Sequence, residues 1–120
     1  MTLWNNISRN RKETVQDDKV FVLLCDALGD KVSFAVIKAT IKEAKTATEI
    51  SRENHLSLSS VYNKIKKLER LGIIQIQKII TDSESGKRVA YYTCKIKALE
   101  MSMNEKGATR IWLELEQFKN

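Results

Sequence analysis

Residues 57–70 carry the side chains best suited to recognising another molecule, because polar and basic groups alternate there with apolar ones. Val61, Ile65 and Leu68 follow an i, i+4, i+7 pattern, which predicts one buried helix face. The other face offers hydroxyl, phenol, amide and ammonium groups, with four basic residues against one acid, Glu69. Hydroxyl and amide groups suit hydrogen bonds to base edges, and ammonium groups neutralise phosphates. The pattern favours a nucleic-acid contact, and a solvated basic helix is the alternative.

Two short helices joined by a tight turn must hold this face in place. Thr46 and Glu49 have the spacing of a capping box, which predicts a short helix that ends near Asn54. After the turn, Ser57 is a suitable N-cap for the next helix, and Gly72 ends that helix. The second of these helices is the one that presents the polar face.

Two further helices are predicted upstream from apolar residues at helical spacing. The first covers about 18–28, and the second covers about 33–44. Residues 1–17 have no sustained apolar period, so we expect a loose polar arm or the frayed start of a helix there. The expected inner stripe of the second helix is Phe34, Ile37 and Ile41.

After Gly72 the pattern changes from helical to strand-like. The run IIQIQKII and the segment 88–96 are rich in β-branched and aromatic residues, and the polar run 82–86 between them predicts a turn. Together they predict a β-hairpin. The tail has two interpretations: a terminal helix from residue 108, or a second hairpin. We favour the hairpin, because a turn signal at 104–107 precedes alternating apolar residues, namely Ile111, Leu113 and Leu115.

This order of elements resembles the winged helix-turn-helix family, and in particular the ArsR-like prokaryotic regulators. The similar stretch covers residues 24–94, and its most specific piece is LSLSSVYNKIKKLERLGII. The predicted fold class is therefore α+β, with a winged helix-turn-helix domain over residues 18–97. Residues 1–17 would be a flexible arm. Residues 98–120 would be a C-terminal extension that packs on the domain or on a dimer partner.

The resemblance implies a transcriptional regulator that binds specific sequences of double-stranded DNA as a homodimer. The serines of the second motif helix, with Tyr62 and Asn63, would face the major groove, and its lysines would lie near phosphates. Two basic residues at the tip of the first hairpin, the wing, would approach the flanking backbone or minor groove. The DNA-binding residues implied in this way are Ser57, Ser59, Ser60, Tyr62, Asn63, Lys64, Lys66, Lys67, Lys87 and Arg88.

Bulk properties restrict the class of protein. The net charge of +6 favours polyanionic partners. No apolar run approaches the roughly 18 residues that span a bilayer, and the N-terminus has no signal-like apolar segment, so we expect a cytoplasmic protein. Cys25 and Cys94 are far apart in regular segments, which predicts buried free thiols.

Metal and catalytic sites are not expected. Metal-sensing members of the resembling family carry a cysteine pair in the helix before the recognition helix, and that helix here, TATEISREN, has none. The chain also lacks the spacing of a nucleophile elbow, a phosphate-binding loop or a zinc-protease motif. We therefore expect no enzyme, no cofactor and no assignable effector ligand. Two alternative functions stay open: a winged-helix adaptor that binds proteins, and a non-specific DNA-architectural protein.

Overall fold

The computed structural model describes residues 12–15 and 18–116. Four helices precede two antiparallel hairpins, which confirms the predicted α+β winged helix-turn-helix fold. No helix in residues 18–116 has the length and apolar character needed to cross a membrane. In chain order the elements are β1 Lys12–Val15, α1 Asp18–Gly29, α2 Lys31–Lys42, α3 Ala47–Asn54, α4 Leu58–Leu71, β2 Ile74–Thr81, β3 Arg88–Cys94, β4 Ile96–Met103 and β5 Thr109–Leu115.

The caps of the two motif helices confirm the sequence prediction. The Glu49 amide donates to the Thr46 hydroxyl at 3.1 Å, and the Thr46 amide donates to the Glu49 carboxylate at 2.9 Å. His55 then ends α3 in the left-handed conformation, with φ of 55°. Ser57 caps α4, and Gly72 ends it with φ of 84°, where a residue without a Cβ costs least. His55 and Ser57 thus define the turn that joins α3 to α4.

Helix α2 begins earlier than expected, because Asp30 caps it. The Asp30 carboxylate accepts the Ser33 amide at 2.8 Å, so the helix starts at residue 31 instead of 33. Its buried face contains Ser33 and Thr40, and Thr40 satisfies its hydroxyl by donating to the Val36 carbonyl at 2.8 Å. The predicted inner position of Phe34 is wrong, since its side chain is 46% exposed.

Helix α1 is apolar on more of its circumference than the core covers. Leu24 and Ala27 are buried, whereas Val22 is 63% and Leu23 is 37% exposed. Cys25 is also exposed, so the prediction that it is buried is wrong. A helix that is apolar all round is usually covered on every side. The outer face of α1 is therefore available for a further contact.

Strands β2 and β3 form the predicted wing as an antiparallel pair. The register shifts between Ile76 and Lys78, which makes Gln77 a bulge. Lys45, in the loop between α2 and α3, forms an isolated bridge with Tyr92 of β3. The Lys45 amide donates to the Tyr92 carbonyl at 2.9 Å, and the Tyr92 amide donates back at 2.8 Å. The wing is thereby attached to the helical motif.

The tail forms the second hairpin, which confirms the favoured interpretation over a terminal helix. Strands β4 and β5 pair around the turn at residues 104–107, and β1 joins the other edge of β5. Strand β1 corrects the prediction of a loose arm for residues 12–15. Its partner lies about a hundred residues away in sequence, so local periodicity carries no signal for it. Residues 1–11, 16–17 and 117–120 lie outside the described residues.

A single apolar core joins the helices to both hairpins. The helical contribution includes the predicted stripe of α4, and the second hairpin adds its alternating residues from β5. Residues 96–115 therefore pack into the same core as the helix-turn-helix. The core residues that α4 and the segments after it contribute include Val61, Ile65, Leu68, Ile73, Cys94, Ile96, Ile111, Leu113 and Leu115.

Candidate nucleic-acid interface

The outward face of α4 is a continuous exposed surface. Its opposite face is anchored by the buried stripe, so the helix cannot rotate without exposing apolar area. Residues at i, i+3 and i+4 lie on one side of a helix, and six exposed side chains follow that spacing here. They include one leucine, and they otherwise offer hydroxyl, amide and cationic groups. The six, which we call the outer face of α4, are Leu58, Ser59, Tyr62, Asn63, Lys66 and Arg70.

Two of the predicted phosphate-binding lysines lie on a flank of α4 instead of on the outer face. The Lys64 ammonium is 3.4 Å from Oδ1 of Asp30, and the Lys67 ammonium is 3.1 Å from Oδ2 of Asp26. Both lysines are half-buried, whereas the residues of the outer face are exposed. Both ammonium groups are already paired within the chain.

Asp30 has two roles at this flank. The Ser33 amide, which it caps, lowers the pKa of its carboxyl most, and the nearby Lys64 lowers it further. The carboxylate therefore stays ionised at neutral pH and holds the cation. Neither the cap at Asp30 nor the approach of Lys64 was part of the sequence prediction, and the Lys64 contact follows only from the packing of α4 on α2.

The serines at the start of α4 divide between capping and exposure. The Ser57 hydroxyl accepts the Ser60 amide at 3.2 Å and donates to the Ser60 hydroxyl at 2.7 Å. Ser60 is half-buried. Ser57 and Ser60 thus serve mainly to begin the helix. Ser59 is the serine that the structure places on the outer face.

Glu69 brings a carboxyl beside the cations of the outer face. Together with Lys66 and Arg70 it lines a shallow depression near the end of α4. Burial raises the pKa of the Glu69 carboxyl, because its charged form is poorly solvated there. Tyr92 lies close by, and burial, followed by the charge of Glu69, raises the pKa of its phenol. The Glu69 carboxyl therefore lies beside Lys66 and Arg70 in a place where its negative charge is less favoured than in water.

The wing tip presents two cations beside a hydrogen-bonded turn. The Asp82 carboxylate accepts the Glu84 amide and the Ser85 hydroxyl, each at 3.0 Å. The Glu84 amide is the largest cause that lowers the pKa of Asp82. The charged Asp82 carboxylate therefore stabilises the turn through these hydrogen bonds. Lys87 and Arg88 follow this turn and are exposed.

The shaft of the wing is apolar on its exposed strand. Ile76, Ile79 and Ile80 of β2 are all largely exposed. On β3, the ring of Tyr91 lies 4.9 Å from the Lys78 ammonium, a cation–π contact. The shaft thus has little charge to offer phosphates. We therefore expect the wing to contact a polyanion through its tip.

The structure brings together only part of the predicted site. Of the ten predicted residues, four share the outer face of α4, two cap the helix, two are paired on its flank and two lie at the wing tip. Leu58 and Arg70 belong to the outer face but are absent from the prediction. Spacing identifies Arg70, which follows Lys66 by four residues. Leu58 carries no polar group and gives no such signal.

Metal-ligand chemistry has no candidate in this part of the molecule. Across residues 18–116, no three histidine, cysteine, aspartate or glutamate side chains come together as a metal site. Cys94 is buried, and burial raises the pKa of its thiol to about 11. That thiol therefore stays protonated near neutral pH. A protonated thiol is a poor nucleophile and a poor metal ligand.

Comparison with known proteins agrees with this geometry. Residues 28–77 match the model of a family described as a helix-turn-helix domain. The match covers less than half of the chain, begins at the end of α1, spans α2 to α4 and ends within β2. No curated protein and no solved structure matches the chain. Residues 28–77 are thus similar to a helix-turn-helix domain, and DNA is the partner that such a domain indicates.

Proposed function

We propose that the protein is a transcriptional regulator of the prokaryotic cytoplasm that binds specific sequences of double-stranded DNA and has no catalytic activity. The observation that carries this proposal is the outer face of α4. It combines hydrogen-bonding groups in the first turns with Lys66 and Arg70 further along. Neither cation makes an ion pair with any described residue. Both are therefore available to phosphates. The ArsR-like resemblance of the α4 sequence supports the regulatory role.

The proposed mechanism places the first turns of α4 in a major groove. The Asn63 amide suits adenine, which offers one acceptor and one donor on its groove edge, and the Ser59 hydroxyl suits either kind of base group. Lys66 and Arg70 would lie on the backbone. Lys87 and Arg88 at the wing tip would meet the flanking backbone or minor groove. The Lys45–Tyr92 bridge supports simultaneous contact, because it attaches the wing to the helices.

We propose that the protein acts as a homodimer whose interface includes α1. The exposed apolar face of Val22 and Leu23 supports this assignment, because the core of one chain leaves it uncovered. A two-fold dimer would read two half-sites about 34 Å apart. A palindromic operator would follow from that symmetry.

The direct test is fluorescence anisotropy with the full chain, genomic duplexes and a random duplex at low and physiological salt. We expect tight binding to a subset of genomic duplexes at physiological salt. Asn63→Ala should lose preference at particular base pairs while retaining affinity for random DNA. Binding that fades equally on all duplexes would instead indicate an architectural protein.

An adaptor function is the second candidate, and the wing shaft favours it. Ile76, Ile79 and Ile80 gain nothing from phosphates, whereas an apolar protein surface would bury them. In that case the chain would bind no duplex even at low salt. Ile79→Glu would then abolish binding to the protein partner, whereas a DNA-binding regulator would tolerate it.

A further inference from the structure

Leu58 and Tyr62 form an exposed apolar pair on the outer face of α4. Their side chains are 42% and 43% exposed. Residues four apart in a helix are neighbours, with Cβ atoms about 5–6 Å apart. Neither residue belongs to the apolar core or to the partly buried set packed against it. Together they make a small apolar surface in the first two turns of the helix.

The position of this pair distinguishes it from an ordinary exposed leucine. Scattered apolar residues are common on protein surfaces and need no explanation. Leu58, however, lies between Ser57, which caps α4, and Ser59, which is exposed beside it. In a helix-turn-helix, the first residues of the second motif helix reach the base edges. A leucine at this point would be pressed against the floor of a major groove.

Among the four standard bases, only thymine presents a methyl group in the major groove, and this C5 methyl suits contact with an apolar side chain. Asn63, on the polar side of the outer face, has the donor and acceptor that adenine requires. An A·T pair offers both features side by side.

We propose that Leu58 and Tyr62 select thymine by contact with its C5 methyl group, so that each half-site contains an A·T pair beneath the start of α4. This inference rests on the proposed function, because it names what the same helix reads. Leu58 supplies the flexible aliphatic contact and Tyr62 supplies the face of its ring. Asn63 reads the adjacent adenine. The preference for an A·T pair therefore depends on apolar residues, Leu58 and Tyr62, and on the polar residue Asn63 of the same helix.

The test compares thymine with deoxyuridine, which lacks only that methyl and keeps every hydrogen-bonding group. Duplexes with randomised centres are selected with the full chain at physiological salt. The selected sequences are then copied with thymidine or with deoxyuridine triphosphate, and affinities are measured by anisotropy. We expect deoxyuridine to weaken binding about fourfold for each methyl that is buried.

Matched variants separate this contact from general weakening. Leu58→Ala is compatible with the exposed first turn of a helix, and it should reduce the preference for thymine over deoxyuridine duplexes to the part that Tyr62 supplies. Lys66→Ala should lower the affinity for both duplexes and preserve the ratio between the two affinities. Lys106→Ala removes an exposed lysine from the far turn of the second hairpin and should change neither.

The outcomes distinguish the inference from the proposed function. If no sequence is enriched at physiological salt, the proposed function fails, and the inference fails with it. If sequences are enriched but bind equally well with deoxyuridine, the proposed function stands and the thymine contact is wrong. A thymine preference of unchanged size in Leu58→Ala would overturn the assignment to Leu58.

Discussion

Lys64 and Lys66 are two residues apart on α4, yet their ammonium groups meet different surroundings. Lys64 lies 3.4 Å from Asp30, whereas Lys66 is exposed on the outer face. Lys66→Ala should therefore weaken binding to every duplex and reduce the slope of log affinity against log salt by about 0.9. Anisotropy titrations over a series of salt concentrations measure this slope.

Lys64→Ala and Lys106→Ala are the controls, because each removes the same formal charge. We expect a smaller change in slope for Lys64→Ala, since its cation is already paired, and no change for Lys106→Ala. If the slope for Lys66→Ala matched that of the unchanged protein, the assignment of Lys66 to a phosphate would be wrong.

The buried thiol of Cys94 makes folding stability depend on alkaline pH. Its pKa is about 11 in the folded protein, above the ordinary value of 9.0, because burial disfavours the thiolate. Well below pH 9 the thiol is protonated in both folded and unfolded chains, so its full contribution to folding stability is present. Between pH 9 and 11 the unfolded chain loses the proton before the folded chain does, so the protein should lose about 2 kcal/mol of stability.

Urea unfolding at pH 8 and at pH 11 measures this loss, with Cys94→Ala as the comparison. The variant should be less stable at pH 8, because it leaves a cavity, but it should lose less stability on going to pH 11. Lysine and tyrosine residues titrate in both proteins, so the difference between the two isolates the thiol. An identical loss in both would show that Cys94 is not the cause.

The sequence indicates which side of α4 is buried, but it does not distinguish one exposed lysine from another. Periodicity depends on burial alone, and it correctly separates Val61, Ile65 and Leu68 from the polar residues. The pairing of Lys64 and Lys67 depends on carboxylates from α1 and from the start of α2. Those contacts exist only once the helices have packed, so no local pattern predicts them.

Among the elements, α2 depends on a single capping residue that also binds α4. Asp30→Ala should destabilise the protein by about 1 kcal/mol, because the Ser33 amide loses its acceptor. Asp30→Asn preserves the cap and removes only the charge that holds Lys64. Urea unfolding at neutral pH should therefore show a clearly smaller loss for Asp30→Asn. Equal losses for the two variants would mean that the charge, and not the cap, matters.

The folding stability contributed by the Asp30 carboxylate should also depend on pH. Its pKa is lowered in the folded protein, so its contribution is present above the ordinary carboxyl pKa and is lost as the pH falls through the folded value. The unchanged protein should lose stability on acidification more steeply than Asp30→Asn. Thermal unfolding between pH 6 and 3 compares the two.

Elements with a strong local pattern were predicted, and those that depend on distant pairing were not. The caps at Thr46, Ser57 and Gly72 lie next to the helices they define, so α3 and α4 have the expected ends. The second hairpin follows from its own turn and alternation. Strand β1 has only four residues and pairs with β5 at the other end of the chain. Its formation depends on the assembled sheet.

At the scale of the whole molecule, the exposed face of α1 decides the oligomeric state that we propose. Val22→Glu should convert a dimer into a monomer in analytical ultracentrifugation, because a carboxylate cannot be buried at an apolar interface without a partner. Met103→Glu is the matched control, since both side chains are 63% exposed. It should leave the sedimentation coefficient unchanged. A dimer that persists in Val22→Glu would place the interface elsewhere.

The two hydrogen bonds between Lys45 and Tyr92 divide the wing into a distal part and an anchored part. Above Tyr92 the two strands hydrogen-bond only to each other, and beyond Ala90, which still packs against the core, opening costs little beyond the hairpin itself. Below Tyr92, opening must also separate the loop between α2 and α3 from the sheet. Thermal fraying that starts at the tip should therefore stop at this residue. The wing can adapt its tip to an irregular surface while its base keeps a fixed angle to α4.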